Sequence, residues 1–155
     1  MTHENLVEIE KIRQLKARYF RSMDQKNWEE WEQVFCEDAT FDFTQEGPSA
    51  AEAPPIVKGR AVFRDYLPPI LEGVKTVHHG HMSEIDITSA STASGIWSME
   101  DMLWYPESKG GAHLWGMGWY YEKYRKDTDG QWRILEIALR RIRVEVNGIQ
   151  MFPRE

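Results

Sequence analysis

The sequence predicts an α+β fold in which N-terminal helices pack on one face of a curved antiparallel sheet. Apolar residues recur at three- and four-residue steps near the start of the chain, which is typical of an amphipathic helix. From Lys75 onward, long runs of strand-forming residues are separated by turn signals such as Asp129-Gly130. Helices followed by consecutive strands indicate α+β, and strands this long favour a strongly curved sheet with a cavity beneath it.

Three helices are predicted, and each begins or ends at a recognisable signal. The first covers Glu4–Met23, where one face is apolar and the remainder is charged. A second begins at Asn27, with Glu30 three residues on as its capping-box partner. A third follows Gly59 and is ended or kinked by Pro68-Pro69, because proline lacks the amide hydrogen that a helix needs.

The remaining elements are one short strand, one long loop and four long strands. Residues Ala39–Phe43 alternate as a short strand, and Thr44–Pro55 collects glycine and prolines in a loop that could act as a lid. The long strands are predicted at Thr76–Ile87, Thr92–Tyr105, Ala112–Arg125 and Gln131–Val146. No second domain or internal repeat is visible, so we expect residues 1–155 to form a single domain.

Composition excludes several classes of function. The net charge of −6 argues against nucleic acid as a partner, because no basic stripe is available to neutralise phosphates. No apolar run approaches the ~20 residues that a membrane helix needs, and no signal peptide is visible at the start. A single cysteine, Cys36, cannot form an internal disulfide. We therefore expect a soluble cytoplasmic protein, and the high aromatic content suits an apolar pocket.

Two charged residues stand on apolar strand faces. Asp101 is the one carboxylate in a face that otherwise contains Gly95, Trp97, Met99 and Leu103. Arg141 continues a face that contains Leu135, Ile137 and Leu139. Buried charges are normally paired or serve a site, so the two residues could pair with each other or contact a ligand. A structural ion pair, or a strand-end residue that reaches solvent, explains the pattern equally well.

Histidines concentrate in the segment TVHHGHMSEIDI, at His78, His79 and His81. Alternation alone does not decide which of them faces the cavity, because a bulge near Gly80 would change the face. His79 and His81, with Glu84, could form a metal site. Each histidine could also be structural. A third interpretation is a proton-transfer histidine whose ring is oriented by Asp24 or Asp101. Considered alone, Tyr19 is typical of an aromatic residue in the core. Asp24, considered alone, is typical of a residue at the end of a helix.

The whole chain resembles the SnoaL-like branch of the nuclear transport factor 2-like superfamily. The similar segments run from IRQLKARYFRSMDQKNWEEW through VHHGHMSEI and the strand ending in MED to DGQWRILE and Arg141. Within that superfamily the chain is most similar to bile-acid 7-alpha-dehydratases and, more distantly, to scytalone dehydratase. The loop Thr44–Pro55 and the segment Pro106–Gly116 diverge, so the resemblance does not identify a substrate. It does imply a cystatin-like fold with a cone-shaped pocket.

The resemblance also implies a set of site residues. A tyrosine and an aspartate five residues apart match Tyr19 and Asp24, and the H-x-G motif of those enzymes selects His78 as the catalytic histidine. An E-D pair gives Asp101, and a late arginine gives Arg141. His78 is expected to remove a proton while Asp24 orients its ring. Tyr19 donates to a carbonyl or leaving oxygen, Asp101 acts as acid or second histidine partner, and Arg141 anchors polar groups.

The function expected from these residues is that of a cofactor-independent lyase, a dehydratase acting on a hydrophobic, carbonyl-bearing cyclic molecule. An isomerase or polyketide cyclase with the same pocket chemistry is the alternative, as is a non-catalytic small-molecule-binding module. No metal, redox cofactor, nucleic acid or membrane partner is expected. Relatives form dimers or trimers, and the last strand carries a second apolar side that suits a partner subunit: Trp132, Ile134, Ala138, Ile142, Val144 and Val146.

Overall fold

The computed structural model of the chain describes residues 3–46 and 53–152. It contains three helices, α1 (His3–Asp24), α2 (Trp28–Gln33) and α3 (Arg60–Leu71). The first helix agrees with its prediction to within a residue at each end. Its buried face follows the predicted three- and four-residue spacing: Ile9, Ile12, Leu15, Lys16, Tyr19, Phe20, Ser22 and Met23.

The strands form one curved, unclosed sheet, in the order β2-β1-β6-β5-β4-β3 with β7 paired to β6. Their bounds are β1 Phe35–Asp42, β2 Val57–Lys58, β3 Lys75–Ile87, β4 Thr92–Trp104, β5 His113–Lys126, β6 Trp132–Val146 and β7 Ile149–Phe152. The α+β prediction is confirmed. The sheet is mixed rather than purely antiparallel, because β1 pairs with β6 in parallel. The chain between them serves as the long connection that a parallel pair requires.

The start of α2 and the end of α3 test two of the signals read from the sequence. The predicted cap is present: Asn27 Oδ1 accepts from the Glu30 amide, and Asn27 Nδ2 donates to Glu30 Oε2, each at 3.2 Å. Pro68 and Pro69 lie inside α3, which continues to Leu71, so the two prolines do not end the helix as one of the two expectations had it. Proline has a helical φ, and each proline removes only its own amide hydrogen bond.

The turn after α1 places a lysine in a left-handed backbone conformation. Lys26 has a φ of +59°. Its amide donates to the Met23 carbonyl at 3.0 Å, and the Asn27 amide donates to the Ser22 carbonyl at 2.8 Å. These two bonds define a Schellman turn, whose left-handed position glycine normally occupies. A side chain there costs about 1–2 kcal/mol.

Register shifts decide which strand residues face the helices. One extra residue in β3 lies between the Gly80–Met99 and Ser83–Trp97 pairs, at the bulge considered from the sequence. In β6 there are two extra residues, Leu135 and Ile142. The bulge at Leu135 corrects the predicted faces: Trp132 and Ile134 belong to the buried core rather than to the outer side, and Leu135 is only partly buried.

The core lies between the concave face of the sheet and the three helices, with aromatic rings at its centre. Trp31 packs against Phe35 at 4.7 Å between ring centroids, and Phe41 stacks on Phe63 at 4.1 Å. Among the described helices, none is long and apolar enough to cross a membrane. Half of the predicted lid, residues 47–52, lies outside the described residues, and the part before it forms a 3-10 turn at Thr44–Glu46.

Candidate active site

A cavity of about 150 Å³ lies between α1, α3 and the concave face of the sheet. Most of its wall is apolar, with side chains from both helices and from β1, β4 and β6. Eight side chains with polar groups also line it: Tyr19, Glu46, Tyr66, His78, Asp101, Tyr105, Tyr120 and Arg141. An apolar chamber with a few converging polar groups is the usual form of a small-molecule site.

A carboxylate lies near each of the two ring nitrogens of His78. Its Nδ1 lies 2.6 Å from Asp24 Oδ1, and its backbone amide donates to Asp24 Oδ2 at 2.9 Å. The other ring nitrogen, Nε2, lies 3.8 Å from Asp101 Oδ2. The side chain is only 8% exposed. Because an ionised carboxylate can only accept, Nδ1 carries a hydrogen, and in the neutral form of the ring the lone pair is therefore on Nε2, toward the cavity side.

Gly80 explains the glycine of the H-x-G motif. A Cβ built at this position would lie 2.6 Å from Cε2 of Phe20, which is closer than such atoms approach. The Phe20 ring stacks near the His78 imidazole, with the two planes 16° apart. Glycine therefore lets the first helix approach β3 closely enough to hold the histidine ring.

Asp24 is fixed by the hydrogen bonds it accepts. In addition to the two from His78, its Oδ1 accepts from the Thr76 hydroxyl at 2.8 Å. Burial alone would raise the pKa of Asp24, but the bonds and charge of His78 and the bond from Thr76 outweigh it and lower the pKa. Asp24 is therefore held in its ionised form beside the imidazole.

Asp101 and Arg141 pair with each other, one of the two arrangements considered from the sequence. Arg141 donates to both oxygens of Asp101, at 2.9 and 2.8 Å, and to both oxygens of Glu46, at 2.7 and 3.1 Å. Burial would lower the pKa of Arg141, but the two carboxylates raise it well above its usual value. A Cβ at Gly116 would lie 2.5 Å from both Arg141 Nη1 and Asp101 Oδ1, so glycine makes room for the pair.

Tyr19 and Tyr120 form a phenol pair on the cavity wall. Their rings meet edge to face with centroids 5.9 Å apart, and their hydroxyls are hydrogen-bonded to each other. Both side chains are fully buried, and burial raises the pKa of each phenol well above its ordinary value. They are therefore neutral hydrogen-bond donors at any working pH.

The structure brings the five residues expected from the resemblance into one neighbourhood. Tyr19, His78, Asp101 and Arg141 line the cavity, and Asp24 lies behind His78. The other two histidines of the segment point away: His79 and His81 are about half exposed, 3.7 and 3.5 Å from Glu100 Oε1. Across residues 3–46 and 53–152, no group of three metal-ligand side chains has suitable geometry, so a metal site there is not supported.

Sequence reasoning missed three neighbours of this site. Tyr120 shares the inward face of β5 with Gly116 and Gly118, and that small–small–aromatic alternation was an available signal. Lys16 occupies an apolar-stripe position of the first helix, where a charge is itself unusual. Glu46 is the last residue of a 3-10 turn, and no local pattern distinguishes it from any other loop carboxylate.

Solved structures of other proteins share this fold. A protein of unknown function from Mycobacterium tuberculosis is 28% identical, with a TM-score of 0.74 over 90% of this chain and 75% of that one. A protein named as a putative scytalone dehydratase from Novosphingobium aromaticivorans is 22% identical, with a TM-score of 0.77 over 100% and 99% of the two chains. A hexachlorocyclohexane dehydrochlorinase from Novosphingobium barchaimii is 18% identical, with a TM-score of 0.76 over 97% of each.

A family model assigns the chain directly. The model of the SnoaL-like domain matches residues 4–138, which include α1, His78 and Asp101. The nearer similarity to bile-acid dehydratases stays a prediction. Because the matched region spans most of the chain, this protein belongs to the SnoaL-like domain family.

Proposed function

We propose that this chain is a cytoplasmic, cofactor-independent lyase of the dehydratase type, acting on a hydrophobic, carbonyl-bearing cyclic molecule. One observation carries the proposal: His78 Nδ1 contacts Asp24, and its Nε2 lies at the wall of an apolar cavity, 3.8 Å from Asp101 Oδ2. A neutral imidazole in that orientation is a general base. The names of two structures with this fold, a dehydratase and a dehydrochlorinase, both describe eliminations, and they support the same class of reaction.

The reaction begins with proton removal. His78 Nε2 takes a proton from a carbon beside the substrate carbonyl, and Asp24 stabilises the imidazolium that forms. Negative charge moves to the carbonyl oxygen, where Tyr19, backed by its hydrogen bond with Tyr120, donates a hydrogen bond. Because the surroundings are apolar, that bond is stronger than it would be in water.

The second step expels the hydroxyl group. A carbon–carbon double bond forms as the carbon–oxygen bond breaks, and the proton held by His78 is delivered to the leaving oxygen, which departs as water. Both oxygens of Asp101 accept from Arg141, so we assign Asp101 as the second partner of His78 rather than as the acid. Arg141 neutralises Asp101 and keeps it in place beside the ring.

The test compares two histidines of one strand. His78→Gln removes the proposed base, whereas His81→Gln changes a half-exposed ring outside the cavity. Purified variants are incubated with a panel of hydroxylated cyclic ketones, and products are identified by mass. We expect the wild type and His81→Gln to release water from one class of compound, and His78→Gln to lose about 10²–10⁴-fold in kcat/KM with its circular dichroism unchanged.

Other outcomes select the alternatives. A product with the mass of the substrate in ordinary water, and with incorporated deuterium when the reaction is run in heavy water, indicates an isomerase or cyclase with the same base. Binding without turnover indicates a small-molecule-binding module. Full activity in His78→Gln contradicts the proposed role of His78.

We also propose that the outer face of the sheet mediates self-association into a dimer or trimer. Five large side chains on or beside this face are about 40% exposed: Trp104, Trp115, Trp119, Tyr121 and Ile142. Apolar surface of this extent is uncommon on a monomer and favours a partner subunit. Light scattering at micromolar concentration should give a mass of two or three chains, and Trp119→Glu should lower it. A wild-type mass of one chain would contradict the proposal.

A further inference from the structure

Lys26 stands where the backbone favours glycine, and its side chain reaches the candidate site. The left-handed turn that it occupies follows α1 directly, two residues beyond Asp24. From there its Nζ donates to the Thr76 hydroxyl oxygen on β3 at 2.7 Å. A residue that strains its own turn while bonding to a neighbour of Asp24 suggests a role beyond folding.

The direction of each hydrogen bond in this group is fixed by chemistry. An ammonium group only donates, so Thr76 Oγ1 must accept from Lys26. The hydroxyl hydrogen of Thr76 is then directed to Asp24 Oδ1, at 2.8 Å. The same carboxylate oxygen accepts from His78 Nδ1 at 2.6 Å. Thr76 and His78 therefore donate to the same atom, Asp24 Oδ1. The positive charge of Lys26 is linked to that atom through the Thr76 hydroxyl.

Because Asp24 Oδ1 accepts hydrogen bonds from both Thr76 and His78, its hydrogen bond with His78 Nδ1 is weakened. A carboxylate oxygen that already accepts one hydrogen bond, close to a positive charge, stabilises an imidazolium less than a carboxylate without those partners does. The other charged groups that face this network are Asp101, opposite His78 Nε2, and Glu72, which lines the surface depression beside Lys26. Asp101 is already paired with Arg141, which also pairs with Glu46. Lys26 and Thr76 are thus the groups that act on the Asp24 side.

We propose that Lys26 and Thr76 are positioning residues that hold Asp24 and limit the stabilisation that it gives to the imidazolium form of His78. The proposal deepens the proposed function and rests on it for its catalytic meaning. The effect of Lys26 on the His78 imidazole can be measured without any substrate.

The test is a nuclear magnetic resonance titration of His78 in the full chain. Lys26→Met removes the charge and keeps the left-handed turn, whereas Lys26→Gly removes the charge and relieves the turn. We expect the His78 pKa to rise by about 0.5 to 1 in both variants and in Thr76→Val. Thr76→Ser keeps the hydroxyl and should restore the wild-type value. Lys75→Met, which removes an exposed lysine next to Thr76, should leave it unchanged.

Stability and turnover separate this role from a structural one. Lys26→Gly is expected to raise the melting temperature while shifting the His78 pKa in the same way as Lys26→Met. With an identified substrate, both variants should lose up to about tenfold in kcat/KM at neutral pH, with the acid limb of the pH profile moved upward. A His78 pKa unchanged in Lys26→Met and Thr76→Val overturns the inference even if His78→Gln is inactive. A shifted pKa in a chain without lyase activity would contradict the proposed function alone.

Discussion

Two buried ionic groups lie on opposite sides of the Tyr19–Tyr120 pair, and only one of them belongs to the cavity. Lys16 pairs with Glu122 on the sealed side, and Arg141 pairs with Asp101 on the cavity side. Both groups place charge on an otherwise apolar face. Burial of charge therefore does not by itself identify an active site, and contact with an accessible cavity is the distinguishing feature.

The sealed group is fully enclosed. The side chains of Lys16 and Glu122 have no exposed surface, and Glu122 also accepts from the Tyr124 hydroxyl, which in turn accepts from Trp97 Nε1 at 2.8 Å. Lys16 Nζ lies 3.9 Å from the Tyr19 ring centroid and 3.7 Å from that of Tyr120. Burial lowers the pKa of Lys16 to about 8, although Glu122 opposes this. The Lys16–Glu122 pair therefore packs against the Tyr19 and Tyr120 rings on the side away from the cavity.

The cavity-side group is only partly enclosed. The Arg141 and Asp101 side chains are buried, but that of Glu46 is 34% exposed, so water reaches this end of the cluster. Arg141 also has two carboxylate partners, whereas Lys16 has one. Loss of the Glu122 carboxylate should therefore lower the free energy of unfolding much more than loss of the Glu46 carboxylate.

The largest expected effect comes from the same substitution made on each side. Glu122→Gln leaves the Lys16 ammonium buried without a counter-charge, and we expect it to lower the free energy of unfolding by about 3–5 kcal/mol. Glu46→Gln leaves Arg141 its two bonds to Asp101 and acts at a hydrated position, so its effect should be about 1 kcal/mol or less. Urea denaturation at neutral pH measures both.

A double variant identifies the cause of that loss. In Lys16→Met/Glu122→Gln both charges are absent, and the amide oxygen of the introduced glutamine can still accept from the Tyr124 hydroxyl, so most of the stability should return. Equal losses for Glu122→Gln and Glu46→Gln would remove the distinction between the sealed and the accessible group. A double variant as unstable as Glu122→Gln would assign the loss to packing instead of charge.

The same contrast explains what the sequence could predict. Helical spacing, caps and long strands are local, so α1, α2 and the four long strands were predictable to within about two residues. Asp101 and Arg141 stood out because each interrupts an apolar face. Lys16 carried the same signal at helical spacing, and a sequence argument confined to strand faces passed over it.

Side-chain direction within the strands was less predictable, because a bulge inverts every position beyond it. One extra residue near Gly80 and two in β6, at Leu135 and Ile142, decide which residues face inward. Gly80 signalled a possible bulge without fixing its position, and the two in β6 have no distinct local pattern. The choice of His78 over His79 came from family resemblance for this reason. The parallel pairing of β1 with β6 joins residues almost a hundred positions apart, and no local pattern predicts it.

The smallest expected effect is a change in acid sensitivity on the cavity side. The pKa of Asp24 is lower in the folded chain than its ordinary value of 3.8. Near and below that value the unfolded chain therefore binds more protons, so stability falls as pH falls. The stabilisation from Asp24 is complete above the unfolded pKa and is lost as pH decreases through the folded one.

Replacing Asp24 removes this titration and should flatten the acid end of the stability curve. Asp24→Asn is expected to be less stable than the wild type at neutral pH and to lose less of its remaining stability between about pH 5 and pH 3. Thr76→Val removes one of the hydrogen bonds that lower the pKa, so its slope should be intermediate. Urea midpoints measured across this range give the three slopes. If Asp24→Asn has the wild-type slope, the acid sensitivity of the fold arises elsewhere, and the Asp24–His78 contact contributes little to stability.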